Sequence, residues 1–211
     1  MKGTILKKIF IVILASLLFT GCNSNLQVKT KDTKAQNTKV TNNTNRSTPE
    51  ETVKSYYRSE ISKDAEFLSE YFVNPVISET GSVKKKLNAF KVDKMEVIKL
   101  FNVKKQGNYA VIICSFNTYF KGIKNPRPDI EIASLVNKNG SWYIINDYGT
   151  VSDKDMEWLN ASILEEKQFL EKDSDIQKML SENKKFDQIN SAFILRGQKA
   201  MIEMQTSNSS F

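Results

Sequence analysis

Apolar positions along this chain change their period several times, and each change marks a different kind of segment. Residues 9–19 form an uninterrupted apolar run without a charge. From Asn23 to Ser47 the apolar side chains almost disappear, Leu26, Val28 and Val40 being the sizeable ones among Asn, Thr, Lys, Ser and Gln. Such a segment buries too little surface to offset the entropy of ordering it, so residues 22–47 are expected to be a disordered tether. A helical period then starts at Thr48-Pro49-Glu50-Glu51, which has the form of a capping box with proline at the first helical position. Val53, Tyr56, Tyr57 and Ile61 follow on one stripe. Lys63-Asp64 interrupts it, and Ala65, Leu68, Tyr71 and Phe72 make a second short stripe that Asn74-Pro75 ends. Residues 81–91 fit no single period; their Lys84-Lys85-Lys86 run reads as a solvated face, followed by Leu87 and Phe90.

Four extended segments come next. Residues 94–103 alternate, which places Met95, Val97 and Phe101 on one side and Ile98 and Leu100 on the other. Gln106-Gly107-Asn108 turns the chain into residues 109–120, rich in β-branched and aromatic side chains. A loop over 122–128, stiffened by Pro126 and Pro128, leads to a strand over 130–136. Asn137 to Gly140 has hairpin chemistry and leads to a strand over 141–147, with Trp142, Tyr143, Ile144 and Ile145. Strands joined by short turns predict an antiparallel sheet.

From Ser152 the period returns to helical. Met156, Leu159, Ile163, Leu164, Leu170, Ile176, Met179, Leu180, Phe186, Ile189, Phe193, Ile194 and Met201 predict two or three amphipathic helices. Breaks are expected at Asp173-Ser174 and at Ser181-Glu182-Asn183. These helices either pack on the sheet or form a hairpin for a partner. The predicted class is therefore α+β: N-terminal helices on a curved antiparallel sheet (48–151), then a helical extension (152–206).

Charge changes this picture little. The chain of 211 residues carries a net +7, but Lys2, Lys7 and Lys8 contribute three of those charges, and Lys29, Lys31, Lys34, Lys39 and Arg46 less Asp32 contribute four. The folded part is near neutral, which argues against a nucleic-acid binder, whose positive charge should sit on the fold. The sequence contains no histidine, the commonest zinc ligand and the commonest general base near neutral pH. No cofactor or metal site is expected. Cys114 lies inside an apolar alternating run and reads as a buried, inert thiol.

Residues 1–21 have the parts of an export signal. Three lysines precede an apolar core of about 11 residues, roughly 16 Å as a helix and half of a hydrocarbon layer of about 30 Å. Small residues Thr20 and Gly21 then precede Cys22. Phe19-Thr20-Gly21-Cys22 resembles the lipobox of bacterial lipoproteins, with Phe19 where that family usually has Leu. The resemblance implies cleavage before Cys22 and a diacylglycerol on its sulfur, and hence a bilayer partner. The expected location is the outer face of a bacterial cytoplasmic membrane. Two or more acyl chains, at about 0.8 kcal/mol per buried CH₂, hold where one is marginal.

The Thr48-Pro49-Glu50-Glu51-Thr52-Val53 opening and the Gly140-Ser141-Trp142-Tyr143-Ile144 closing strand together resemble extracytoplasmic members of the nuclear transport factor 2-like, or cystatin-like cone, superfamily. The resemblance covers residues 48–148 and implies a bent sheet wrapped around the first helix. Enzymes of that superfamily place an acid and Tyr or Asp donors inside the cone; Asp147, Tyr57 and Tyr119 would be the candidates, though no catalytic motif of the family matches here residue by residue. The expected function is thus a non-catalytic binding or assembly module of the cell envelope, with a protein partner or self-association. The alternative is a small-molecule pocket or weak enzyme, with Tyr57, Tyr119 and Trp142 as lining. Two lobes around a transported solute would need a longer chain.

One prediction belongs to the anchor. Replacing Cys22 with serine is expected to abolish the acylated form and normal maturation, read by intact mass of the membrane-extracted protein. Unchanged mass and partitioning would remove the anchor.

Overall fold

The computed structural model describes residues 45–60, 65–78 and 80–206. The expected signal, Cys22, most of the tether, and Ile61 with Lys63-Asp64 lie outside them. The chain folds as an α+β domain with helices on both faces of one sheet.

Helix α1 (Pro49–Glu60) starts as the sequence dictates: Thr48 Oγ1 accepts from the Glu51 amide at 3.1 Å, and Glu50 and Glu51 sit in the first turn. A short helix α2 (Ala65–Ser69) and a single 3₁₀ turn (Pro75–Ile77) follow. The ambiguous segment forms helix α3 (Thr80–Ala89). Strands β1 (Val92–Gln106), β2 (Tyr109–Phe120), β3 (Arg127–Lys138) and β4 (Ser141–Ile144) then pair antiparallel in sequence order. Strand β4 is shorter than the pattern predicted, and β3 begins three residues earlier, with Pro128 inside it. Proline is tolerated there because β4 pairs only with Leu135 to Lys138, leaving that flank of β3 unpaired.

Strand β1 departs from simple alternation. Register shifts at Val92/Lys94, Val97/Lys99 and Phe101/Lys104 interrupt its pairing with β2. The shift at Ile98 moves Leu100 onto the same face as Met95 and Val97, opposite Cys114, and turns Phe101 to the other face, opposite Ile113. The expected partition of this strand was therefore wrong beyond Val97, because a bulge resets the period of two. The same bulges, together with Lys94, Lys99, Lys104 and Lys105, protect a long edge strand from open-ended pairing.

Helix α1 lies on the inner face and touches both edge strands, β1 and β4. Four strands span about 14 Å, more than a helix axis can bridge on a flat sheet, so the sheet curls around α1. Val53 and Tyr57 pack there against Ala110, Ile112, Cys114, Phe116, Leu135 and Trp142. Cys114 is fully buried. The chain enters this layer earlier than the expected tether boundary: Arg46 O accepts from the Trp142 amide at 2.9 Å, and its guanidinium lies 4.8 Å from the centre of the Tyr143 ring.

The C-terminal extension packs on the domain. Ser152 caps α4 (Asp153–Lys172), and Asp173 both ends it and caps α5 (Ser174–Ile189), as the sequence signals. The second expected break, at Ser181-Glu182-Asn183, does not exist. Helix α5 runs through it to Asn190, and the Asn183 side chain turns to the sheet instead of the local backbone. Leu159 of α4 packs with Val111 and Val136 on the outer face, and Ile176 of α5 with Phe101, Ile113 and Ile130. Helix α5 then passes the end of the sheet, where Phe186 meets Leu87, Phe90, Val92 and Phe120, and α6 (Ser191–Thr206) lies against α3. Among the described residues, no helix is long and apolar enough to cross a membrane.

Gly197 fixes how close α6 comes. A Cβ there would lie 2.3 Å from Phe90 Cε1 and 2.4 Å from its Cδ1. Gly197→Ala would gain about 1 kcal/mol of helix propensity, but overpacking costs about 1–3 kcal/mol. A net loss of stability is expected, read as a lower midpoint in urea denaturation; a raised midpoint would show that the Phe90 ring moves aside freely.

Candidate functional site

Three ionisable side chains alternate along the inner face of β3: Arg127, Asp129 and Glu131. They stand opposite Thr118, Phe116 and Cys114 of β2. A strand with this pattern usually turns its charges to water. Here both faces are covered, so Ile130 takes the outer core and the charges face α1, α3 and α5.

Arg127 is 4 % exposed and fully engaged. Its Nε donates to Asp187 Oδ1 at 2.8 Å and one terminal nitrogen to Asp187 Oδ2 at 3.1 Å, a two-pronged contact with α5. The same nitrogen donates to Asn183 Oδ1 at 3.2 Å, and the other donates to Asp129. Asp129 accepts further from Thr118 Oγ1 and from Asn183 Nδ2, each at 3.1 Å. Burial pushes the Asp129 carboxyl above the ordinary aspartate range, against the opposing pull of Arg127. Asn183 Nδ2 also donates to Pro128 O at 2.6 Å. Helix α5 thus closes the end of the cone with its own polar groups.

One step deeper, Tyr57 Oη donates to Glu131 Oε2. Desolvation pushes the Glu131 carboxyl up; the Tyr57 bond and the positive field of Lys86 oppose it, and Asp129 reinforces it. Lys86 is half-buried and faces these carboxylates, so the lysine run of α3 is not wholly a solvated face. The Tyr57 ring lies 4.3 Å from that of Phe116, which covers the pair. Tyr57 itself belongs to the packed cluster under α1.

The other sequence candidates sit elsewhere. Asp147 accepts from Asn74 Nδ2 at 3.0 Å and from the Gly149 amide at 2.9 Å, a turn-forming role that holds its carboxyl below the usual range. Tyr119 donates to Glu96 at 2.9 Å on the outer side of β1. Trp142 is core. The structure therefore does not bring Asp147, Tyr57 and Tyr119 together. Arg127, Asp129, Glu131, Asn183 and Asp187 were missed; the available signal was the alternation of charge in a strand flanked by helical segments on both sides.

A second feature is open to solvent. A concavity of about 520 Å³ lies between α1 and β1, lined by Glu50, Lys54 and Arg58 on one wall and by Met95 to Leu100 on the other. Glu50 pairs with Lys105 at 3.1 Å and Lys54 with Glu51 at 3.3 Å, while Ile98 is 52 % exposed at the bulge. Among the described residues, no group of three or more His, Cys, Asp or Glu side chains is placed to hold a metal ion.

No protein-family model matches this chain, and no curated protein matches its sequence. Solved structures with a related arrangement include a SEC-C motif containing protein from Rhodopseudomonas palustris, at 15 % identity, with 48 % of this chain and 77 % of that chain covered and a TM-score of 0.38. Another is an NTF2-like protein with a cystatin-like fold from Novosphingobium aromaticivorans, at 16 % identity, 49 % and 81 % coverage and a TM-score of 0.37. A SEC-C motif containing protein from Psychrobacter arcticus gives 20 % identity, 51 % and 62 % coverage and a TM-score of 0.37. Similarity at this level assigns no family.

The buried acid makes a pH prediction. Because the folded-state pKa of Glu131 is raised, its contribution to stability is full below the unfolded value and is lost as pH rises through the folded one. Glu131→Gln keeps an acceptor for Tyr57 and removes that loss. The variant is expected to match the parent near pH 4 and to exceed it in thermal stability at pH 7–8; equal pH profiles would show that the carboxyl ionises there without penalty.

Proposed function

We propose that this protein is a lipid-anchored, extracytoplasmic binding or assembly module without catalytic activity, built on a cystatin-like cone whose interior serves as structure. The observation that carries the non-catalytic reading is the packing of apolar and aromatic side chains under α1. Val53, Tyr57, Phe116 and Trp142 pack the space under α1, and the polar groups at its end are spent on one another and on α5. A reaction needs a place for the reacting atom within about 3 Å of an acid or base, and the Tyr57–Glu131 pair has protein on that side. The surfaces left for recognition are on the outside: the groove between α1 and β1, and the outer sides of the C-terminal helices. The anchor rests on the resemblance of residues 19–22 to a lipobox and on the polar segment after it.

The test is a direct comparison of cargo and partners. Protein extracted from membranes with mild detergent is expected to carry acylated Cys22, to contain no stoichiometric small molecule by native mass spectrometry, and to be recovered from intact cells crosslinked to another envelope protein. A small molecule retained in the cone, and lost in Tyr57→Phe, would overturn the reading in favour of a pocket protein or enzyme.

A further inference from the structure

The 3₁₀ turn Pro75–Ile77 presents three apolar side chains to water in a row: Pro75 is exposed, Val76 is 88 % and Ile77 48 % exposed. Single exposed aliphatics are ordinary, whereas a consecutive run of them is a defect unless it has a use. The turn is also held firmly. The Asn74 amide donates to Asn146 Oδ1 at 3.0 Å, Asn146 Nδ2 donates back to Asn74 O at 2.8 Å, and Asn74 Nδ2 donates to Asp147 Oδ2 at 3.0 Å. Several of its polar groups are spent inward. Asn74 Oδ1 accepts from the Val76 amide at 3.2 Å, the Pro75 carbonyl accepts from the Ser78 hydroxyl at 2.8 Å, and proline has no amide to satisfy. A fixed backbone with apolar tips is what a protein needs to enter a lipid interface, where unsatisfied polar groups are costly.

The turn hangs from the same edge strand that receives the N-terminal segment. The Trp142 amide of β4 donates to Arg46 O at 2.9 Å, and the Arg46 guanidinium donates to Glu70 O. Two residues along β4, Ile144 makes backbone hydrogen bonds with Tyr71 and Val73, at 2.8 and 3.0 Å. Asn146, which clamps the turn, is four residues from Trp142, at most about 13 Å at 3.3 Å per residue. Residues 23–44 separate Cys22 from Asn45, so the chain leading from the expected acyl group meets the domain on the flank that carries Val76 and Ile77.

We propose that the Pro75–Ile77 turn is a second membrane contact, which inserts Val76 and Ile77 into the lipid interface and seats the domain on the bilayer; this rests on the lipid-anchored reading and names the face that turns to the membrane. Three side chains hold a free protein only weakly on lipid. Acylation of Cys22 makes the second contact intramolecular, and a weak one then suffices. Shape selects the same occupant. A stable protein interface takes about 800 Å² from each side, more than a projecting three-residue turn offers, whereas a bilayer closes around a convex tip without a complementary surface. Strand β1, with its groove against α1, is the opposite edge of the sheet, so seating the turn points that groove away from the membrane.

The experiment places a photocrosslinking amino acid at 76, 77 or 98 of the full chain, in the cells that make it, and maps each adduct by mass spectrometry. The intact mass of the same protein reports acylation of Cys22 separately. Ile98 is the control, 52 % exposed and on the far edge of the sheet. Adducts from 76 and 77 are expected to be phospholipid, and those from 98 are not. Val76→Asp is expected to lower the lipid yield from 77 about tenfold, and Val76→Leu to keep it. Adducts from 76 and 77 to protein instead of lipid, whether a second copy or another chain, would overturn the inference. So would equal lipid yields from 77 and 98, or a yield from 77 unmoved by Val76→Asp. With Cys22 acylated, those outcomes leave the anchor standing; an unacylated Cys22 without lipid adducts would defeat both.

Discussion

Arg127 is the constraint around which this fold is organised. Its guanidinium sits in the interior, where an unmatched charge is not tolerated, and the groups that match it come from distant parts of the chain. Asp129 is two residues away on the same strand, but Asp187 and Asn183 belong to a helix more than fifty residues later. Removing one partner of such a buried set costs about 3–5 kcal/mol, because what remains is a charge without solvent. The helical extension is therefore part of the domain's polar interior rather than an appendage: without α5, Arg127 and Asp129 would lose four of the six side-chain hydrogen bonds described for them.

This arrangement joins the polar end of β3 to the packed cluster under α1. Asn183 and Asp187 of α5 close that end, and farther in Tyr57 donates to Glu131, whose carboxyl desolvation raises. Glu166 of α4 shows the same economy on the outer face. It is fully buried, Lys104 pairs with it at 3.6 Å, and burial pushes its carboxyl up against the pull of Lys104. Desolvation thus raises one carboxyl on each side of the sheet, Glu131 on the inner and Glu166 on the outer.

The backbone plan was largely legible in the sequence, and the interior chemistry was not. Thr48-Pro49, Asp173 and the Asn139-Gly140 turn act through local geometry, so their positions could be read directly; Asn139 and Gly140 both adopt positive φ, as the turn requires. The errors came where tertiary structure overrides local signals. A bulge at Ile98 exchanged Leu100 and Phe101 between faces, and nothing in the residue types announces an inserted residue. Ser181-Glu182-Asn183 has the composition of a break, yet Asn183 finds better partners on β3 than in its own backbone. The alternation Arg127, Asp129, Glu131 went unread because periodicity reports which side chains share a side, not whether that side is dry.

The attachment of Arg46 to β4 has a mechanical consequence. A pull on the N-terminal segment reaches the domain beside Trp142, where one backbone hydrogen bond and the Arg46 contacts with Tyr143 and Glu70 take the load first. These contacts can peel away one at a time, at low force, before tension arrives at α1. Behind them, Val53 and Tyr57 are wedged under the curled sheet, so extracting α1 means breaking the core in a single event. The join is thus a short shock absorber in series with a stiff body, and moderate tugging should free residues 45–48 while leaving the packing under α1 intact.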